Sequence, residues 1–368
     1  MSIKRSAALS QKSPSSFLST LRTLLLFALL TATAHATAAA ATIAVPAGGD
    51  FQAALYAAQA GDIITLEAGA TYVGPFTLPN KTGTGTDADW ITIRTSAPDS
   101  ALPAPGERIT PAYAPLMPKL LSPGRGEAAL QTEPGAHHYR FIGVEFGRVN
   151  SSAVVYDLVK LGDGSPAQNT PEEVPHHLTL DRCYIHGDDG DLKRGISLQS
   201  AHTEIVGCYV SEFHVRGQDT QAVAGWNGPG PYRIVNNYLE GAGENLIFGG
   251  ARSAVPGQTP SDILISRNHI SKPASWRGRW TVKNLLELKH ARRVRIEGNL
   301  LEHCWLDAQQ GYAVLFTPRP SDSGDWAAVE DVEFVNNVVR RVAAGVHVSG
   351  QDDLFSPAPK SRRLRRVR

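Results

Sequence analysis

The chain has 3 cysteines and 2 methionines among its 368 residues, and aromatic residues make up 7%. Three cysteines cannot staple a chain of this length, so a disulfide framework is excluded as the source of its stability, and none of them has the spacing of a zinc site. An excess of positive charge is missing too. The formal net charge is +1, but ten of the 36 basic residues lie near the two ends: Lys4, Arg5, Lys12 and Arg22 at the start, Lys360, Arg362, Arg363, Arg365, Arg366 and Arg368 at the finish. The remaining 26 face 35 acidic residues, which leaves the body near −9. Such a body offers no basic footprint for phosphates, so nucleic acid is excluded as a partner. Nor is there an apolar run long enough for a membrane span. The run Leu24–Leu30 falls far short of the roughly 20 residues needed. With basic residues before it and Ala34-His-Ala36 after it, it reads as the core of a secretory signal peptide over residues 1–38. The expected product is secreted or periplasmic, with no stable membrane insertion after cleavage.

Turn formers and apolar residues are plentiful, with Gly 34, Pro 24 and an apolar fraction of 42%. They are arranged periodically. LTLDRCYI (178–185), TEIVGCYV (203–210), RIVNNYL (233–239), LISRNHI (264–270), RIEGNLL (295–301) and EFVNNVV (333–339) repeat one pattern. Each has an alternating stretch, an Asn or Cys, and a second apolar pair. The key residues Cys183, Cys208, Asn237, Asn268, Asn299 and Asn337 are 25, 29, 31, 31 and 38 residues apart. A near-constant period with growing insertions describes a solenoid whose coils differ in their loops. A second strand set lies between: GISLQS (195–200), QAVAGW (221–226), NLIFGG (245–250), NLLELKH (284–290), AVLFTP (313–318) and GVHVSG (345–350). Alternation in NLLELKH sends Leu286 and Leu288 to a core and Glu287 and Lys289 to water. Stacked Asn side chains can bond from rung to rung, and Cys183 and Cys208 should form a ladder of buried thiols rather than a bridge.

An open stack needs covered ends. Asp50 can N-cap a helix over Phe51–Ala60 with Gly61 as terminator, predicting an N-terminal capping helix. Strands should follow at Ile63–Leu66, Phe76–Leu78 and Trp90–Thr95, then a Pro-rich insertion from Ala97 to Pro118. At the other end SRRLRRVR (361–368) repeats ARRVRIEG (291–298), the opening of an earlier coil, which suggests that further C-terminal coils are missing.

The stretches HGDDGDLKRGISLQS (186–200), GQDTQAVAGWNGPGP (217–231), AGENLIFGG (242–250), SWRGRWTVKNLLELK (275–289) and DAQQGYAVLFTPR (307–319) carry a family resemblance. Over residues 42–368 the chain resembles the pectin lyase-like superfamily, and more narrowly a group of exported bacterial β-helix repeat proteins. The resemblance implies an all-β fold, a single-domain right-handed parallel β-helix (solenoid). It also implies a polysaccharide partner, with either a polysaccharide lyase, a glycoside hydrolase or a non-catalytic carbohydrate-binding or wall-associated protein as the outcome. A monomer is expected.

Polar residues concentrate in the loops before the 195-type strands, the side on which the resembling enzymes keep their clefts. Rungs about 4.8 Å apart would set carboxylates on neighbouring coils at the roughly 5–5.5 Å of a retaining glycosidase. Asp219 with Glu244, and Glu287 with Asp307, are the pairs suggested. Elimination from a uronate instead needs a base and positive charge, which Lys193, Arg194 and Lys289 could supply. Trp226, Trp276, Trp280 and Trp305, with Arg277, Arg279 and the outward His347, form a candidate sugar-binding set. Asp188, Asp189 and Asp191 are candidate oxygen ligands for Ca2+, the one cofactor the loops suggest.

Overall fold

A computed structural model describes residues 40–83, 86–149, 153–319, 326–350 and 363–368. The expected signal peptide lies outside the described residues. Over the described residues the chain is a right-handed parallel β-helix with three sheets of eleven, nine and nine strands. Between Ile63 and Val348 each coil contributes one strand to each sheet in turn, and Thr42–Val45 and Arg363–Val367 extend the first sheet at its two edges. One coil runs His176–Asp181 in the first sheet, Tyr184–His186 in the second and Leu192–Leu198 in the third, and the next starts at Ala201. No coil could bury its apolar face alone. Stacking joins Leu180, Ile205, Ile234, Ile265 and Ile296 into one column of a continuous core.

The bend between the first and second sheets carries the Asn ladder. Asn237 Oδ1 accepts from Cys208 N at 2.8 Å, Asn268 Oδ1 from Asn237 N at 2.8 Å, Asn299 Oδ1 from Asn268 N at 2.8 Å and Asn337 Oδ1 from Asn299 N at 2.9 Å. Each Nδ2 donates to a carbonyl of the preceding coil. The residue just before each Asn or Cys is left-handed, as at Arg182 (φ 49°), Asn236 (φ 55°) and Arg267 (φ 57°). Gly207 and Gly298 serve at two bends because a left-handed backbone strains a residue with a Cβ. Cys183 and Cys208 continue the ladder as free buried thiols, with Cys183 N 3.4 Å from Cys208 Sγ.

The helix forms at Phe51–Ala57, shorter than expected. Asp50 accepts from Ala53 N, and Ala58 leaves the helical region at ψ 139° before Gly61 is reached. Its Phe51 and Leu55 join the core. The Pro-rich insertion packs Leu102, Ile109 and Met117 over Tyr184 and Tyr209, outside the second sheet. At the other end Arg363–Val367 is the eleventh strand of the first sheet. Its register differs by three residues from the repeat read in the sequence. Leu364 continues the Ala291–Val329 column and Val367 the Val294–Val332 column.

One buried acid ties this scaffold to pH. Glu240 accepts from the Tyr238 hydroxyl at 2.6 Å, and burial raises its carboxyl to about 7. The folded protein therefore holds a proton that the unfolded chain releases near its ordinary value of 4.5. That stability is fully present below the unfolded value and is lost as pH rises through about 7. Glu240→Gln should flatten the loss of urea resistance between pH 5 and 8 by up to ~3 kcal/mol, measured as the difference between variant and parent midpoints.

Candidate functional site

Asp157, Arg194, Gln221, Glu244 and Asn284 occupy equivalent positions on successive strands of the third sheet. Their side chains are linked along the stack. Arg194 donates to Asp157 at 3.1 Å and to Gln221 Oε1 at 3.0 Å, and Gln221 donates to Glu244 Oε2 at 2.8 Å. Glu244 Oε1 has no donor, although Lys283 Nζ lies 3.6 Å away and also pairs with Asp219 at 2.5 Å. Asn284 Nδ2 donates to Glu287 Oε2 at 3.1 Å while its Oδ1 has no partner, and Lys289 Nζ is 3.6 Å from Glu287 Oε1.

Electrostatics follows from burial. Burial, then the charges of Glu287 and Asp219, push the Glu244 carboxyl up against the opposing pull of Lys283 and Lys289. Burial alone would lower Lys283, but Glu244 and Asp219 outweigh it. Lys193 is lowered by burial and then by Arg194. A buried lysine sets the approach of the Glu244 strand: Lys272 donates to Gly241 O at 2.5 Å, Gly243 O at 3.0 Å and Asn245 Oδ1 at 2.6 Å. Burial brings its amine down to about 8. Gly243 lets this turn meet the previous coil, since a Cβ there would stand 2.6 Å from Thr220 N. Lys272→Met strands three acceptors in the interior, each worth about 1–3 kcal/mol. A fall of ~3 kcal/mol or more in unfolding free energy is expected from urea titration, against a negligible change for the exposed Arg125→Met.

The structure corrects several expectations. Glu287 and Lys289 are not part of the apolar core that takes Leu286 and Leu288, but they are 1% and 5% exposed, so neither faces water. The rung partners of Glu244 are Gln221 and Asn284, and those of Glu287 are Ile247 and Leu315. The proposed carboxylates are therefore not rung pairs: Asp219 meets Glu244 through the shared Lys283, and Asp307 accepts from Val282 N at 2.7 Å. Trp276 and Trp305 are 3% and 8% exposed because they pack with Val282 and Ala242 in an apolar cluster of their own, with Trp280 against it. Trp280 stacks on His214 at 3.9 Å. Arg279 lies 5.8 Å from the Trp280 ring and Arg277 5.1 Å from that of Trp305. His347 packs on Tyr312, three coils beyond Glu244. Asp188 is held by both nitrogens of the Arg148 fork, at 2.9 and 2.6 Å, and stays well below the usual carboxylate range despite the opposing effect of burial, so its lone pairs are directed at a guanidinium. Asp189 is exposed, and Asp188, Asp189 and Asp191 do not converge.

Trp226, Lys193 and Arg194 come together. Arg194 lies 5.0 Å from the Trp226 ring, Trp226 Nε1 donates to Gly164 O, and Lys193 lies over Tyr156 at 5.7 Å. This cluster adjoins an open groove lined by Gln131, Tyr156, Asp157 and Lys160, with Tyr156 54% exposed. Gln221, Lys283 and Asn284 were missed in the sequence. The signal was available: with Glu244 aligned on the period, Gln221 and Asn284 open the strands on either side.

No family model matches the chain, and no curated protein sequence matches it. Solved structures do resemble it. The PL6 family alginate lyase AlyGC is 13% identical and aligns with TM-score 0.50 over 83% of this chain and 40% of its own. An alginate lyase from Paenibacillus sp. str. FPU-7 is 16% identical, with TM-score 0.41 over 84% of this chain and 98% of its own. Pectate lyase Pel9A is 15% identical, with TM-score 0.48 over 84% and 77%. At such identities the likeness is one of fold.

Proposed function

We propose that the outer face of the third sheet binds an extracellular, uronate-containing polysaccharide and cleaves it by β-elimination. The observation that carries this reading is the buried polar column from Arg194 to Glu287. Burying ionisable groups costs several kcal/mol each even when they are paired, and the Glu244 and Asn284 oxygens left without donors add to that burden. A scaffold already held by its core has no structural need for them, so a functional role is the better explanation.

Elimination requires a base at the proton beside the uronate carboxylate, positive charge on that carboxylate, and an acid for the leaving oxygen. Lys193 suits the base, since burial and Arg194 favour its neutral form and it borders the open groove. Arg194 suits the carboxylate clamp. Glu244, with its raised pKa, suits the acid. The alginate and pectate lyases of similar fold agree with a polyuronate substrate. An ionised Glu244 with Asn284 Oδ1 would instead offer oxygen ligands to Ca2+, which would supply positive charge against the uronate carboxylate in place of the acid role of Glu244. One observation favours binding without turnover: Glu244 is fully buried beside Lys283, so chemistry requires its surroundings to open.

The test is incubation with alginate, pectate and neutral glycans, with Ca2+ or with EDTA, following both the ultraviolet absorbance of unsaturated uronates and reducing ends. Absorbance on a polyuronate supports elimination, and its loss in EDTA assigns the charge to Ca2+. Reducing ends without absorbance would replace the reading with hydrolysis, and retention without either signal would leave a binding protein.

A further inference from the structure

The dipeptides His137-His138 and His176-His177 open two neighbouring strands of the first sheet, with His137 and His176 in register. His202 extends the column by one coil. In a regular strand two consecutive side chains point to opposite faces. Here the second residue of each pair is left-handed, His138 at φ 58° and His177 at φ 53°, which breaks the alternation and brings both imidazoles together. The same backbone turn recurs at Asp262, Arg293 and Asp331, so it belongs to the fold. What distinguishes these coils is an imidazole at both positions.

The rings form two stacks. His137 lies on His176 at 4.9 Å, and His138, His177 and His202 follow one another at 4.5 Å, with interplanar angles of 1 to 6°. Within each dipeptide the two Nδ1 atoms are 2.7 Å apart, a separation at which one nitrogen carries a proton and the other does not. Neutral imidazole is the form that binds metal.

We propose that His138, His176 and His177 bind one divalent transition-metal ion of the Zn2+, Cu2+ or Ni2+ class. Ligand nitrogens of these three converge within 4.8 Å, the one such grouping of His, Cys, Asp or Glu found among the described residues. Around an ion with metal–nitrogen bonds of about 2.0–2.1 Å the nitrogens settle roughly 3.3 Å apart. That lies between the 2.7 Å of the hydrogen-bonded pair and the 4.8 Å span of the trio, within reach of ring rotation. An all-imidazole set suits borderline metals and not Ca2+ or Mg2+. Trp90 meets His138 edge-on at 5.4 Å, and Asp89 and His137 flank the space a Cβ of Gly83 would fill. The Arg140 guanidinium, 4.7 Å from the Trp90 ring, is the nearby cation the ion must tolerate. The cluster lies on a different sheet from the polar column and does not depend on the lyase reading.

The experiment uses the chain without a polyhistidine tag, stripped with chelator and titrated calorimetrically with ZnCl2 and, separately, CaCl2. One equivalent of Zn2+ should bind while Ca2+ does not, and His177→Gln should weaken Zn2+ binding at least tenfold. The remote His347→Gln, on the third sheet, should bind as the parent does. X-ray absorption at the zinc edge of the unmutated protein supplies a readout that survives misfolding of a variant, and an imidazole-nitrogen shell is expected. Absence of saturable binding, equal binding of Ca2+, an unchanged His177→Gln or an oxygen-only shell would each overturn the proposal.

Discussion

Asn268→Leu should cost the solenoid about 4 kcal/mol, as two buried backbone groups lose their partners at about 1–3 kcal/mol each and the ladder is severed. Asn268 Oδ1 accepts from Asn237 N at 2.8 Å and from Asn237 Nδ2 at 3.0 Å, while its Nδ2 donates to Ile234 O at 2.8 Å and Asn299 Oδ1 at 3.0 Å. Leucine fills the volume but answers none of these groups. The urea midpoint followed by circular dichroism should fall sharply. Cys208→Ala provides the comparison. Its thiol makes longer contacts, 3.3 Å to Leu180 O and 3.4 Å from Cys183 N, so a loss near 1 kcal/mol is expected. Equal losses at the two positions would mean that the bends are held by packing and that the amides are incidental.

Lys193→Ala should reduce release of unsaturated product by roughly 10²–10⁴, the usual contribution of a positioned base, while leaving the urea midpoint close to that of the parent. The lysine is partly exposed and its ring contact with Tyr156 is at 5.7 Å, so little stability rests on it. The pH profile gives a second check. A neutral amine is needed, so the rate should rise with pH through the Lys193 value, which burial and Arg194 hold below the ordinary 10.5. Lys193→Arg keeps the charge yet stays protonated, so it should fail to rescue. A variant that releases product at the parent rate would remove Lys193 from the chemistry.

The sequence made the coil architecture legible because solenoid packing is local in sequence. The Asn and Cys positions gave the period, and the period gave the order of the strands. The third-sheet strands fall within a few residues of their predicted segments for the same reason. Side-chain environment was harder to read. Leu286 and Leu288 could be assigned to the core by alternation, but the burial of Glu287 and Lys289 depended on tertiary packing outside the strand. Trp276 and Trp305, residues whose composition and position alone suggested an open sugar platform, are buried with Ala242 and Val282 in a cluster separate from the main core. Register also outran sequence inspection: Glu244 faces Asn284, three residues before the carboxylate that chemistry had singled out. The paired histidines were readable as dipeptides one coil apart, yet only a left-handed backbone, invisible in periodicity, turns them toward one another.

The ladder has a direction. Asn237 completes the bend at Cys208, Asn268 the bend at Asn237, Asn299 the bend at Asn268 and Asn337 the bend at Asn299, so each corner waits for the coil that follows it. A chain emerging amino end first would therefore always carry one unfinished corner at its growing tip, closed about thirty residues later by the next asparagine. Assembly would proceed vectorially, like a zip whose slider is the newest coil, and a pause in elongation would leave only the final corner frayed.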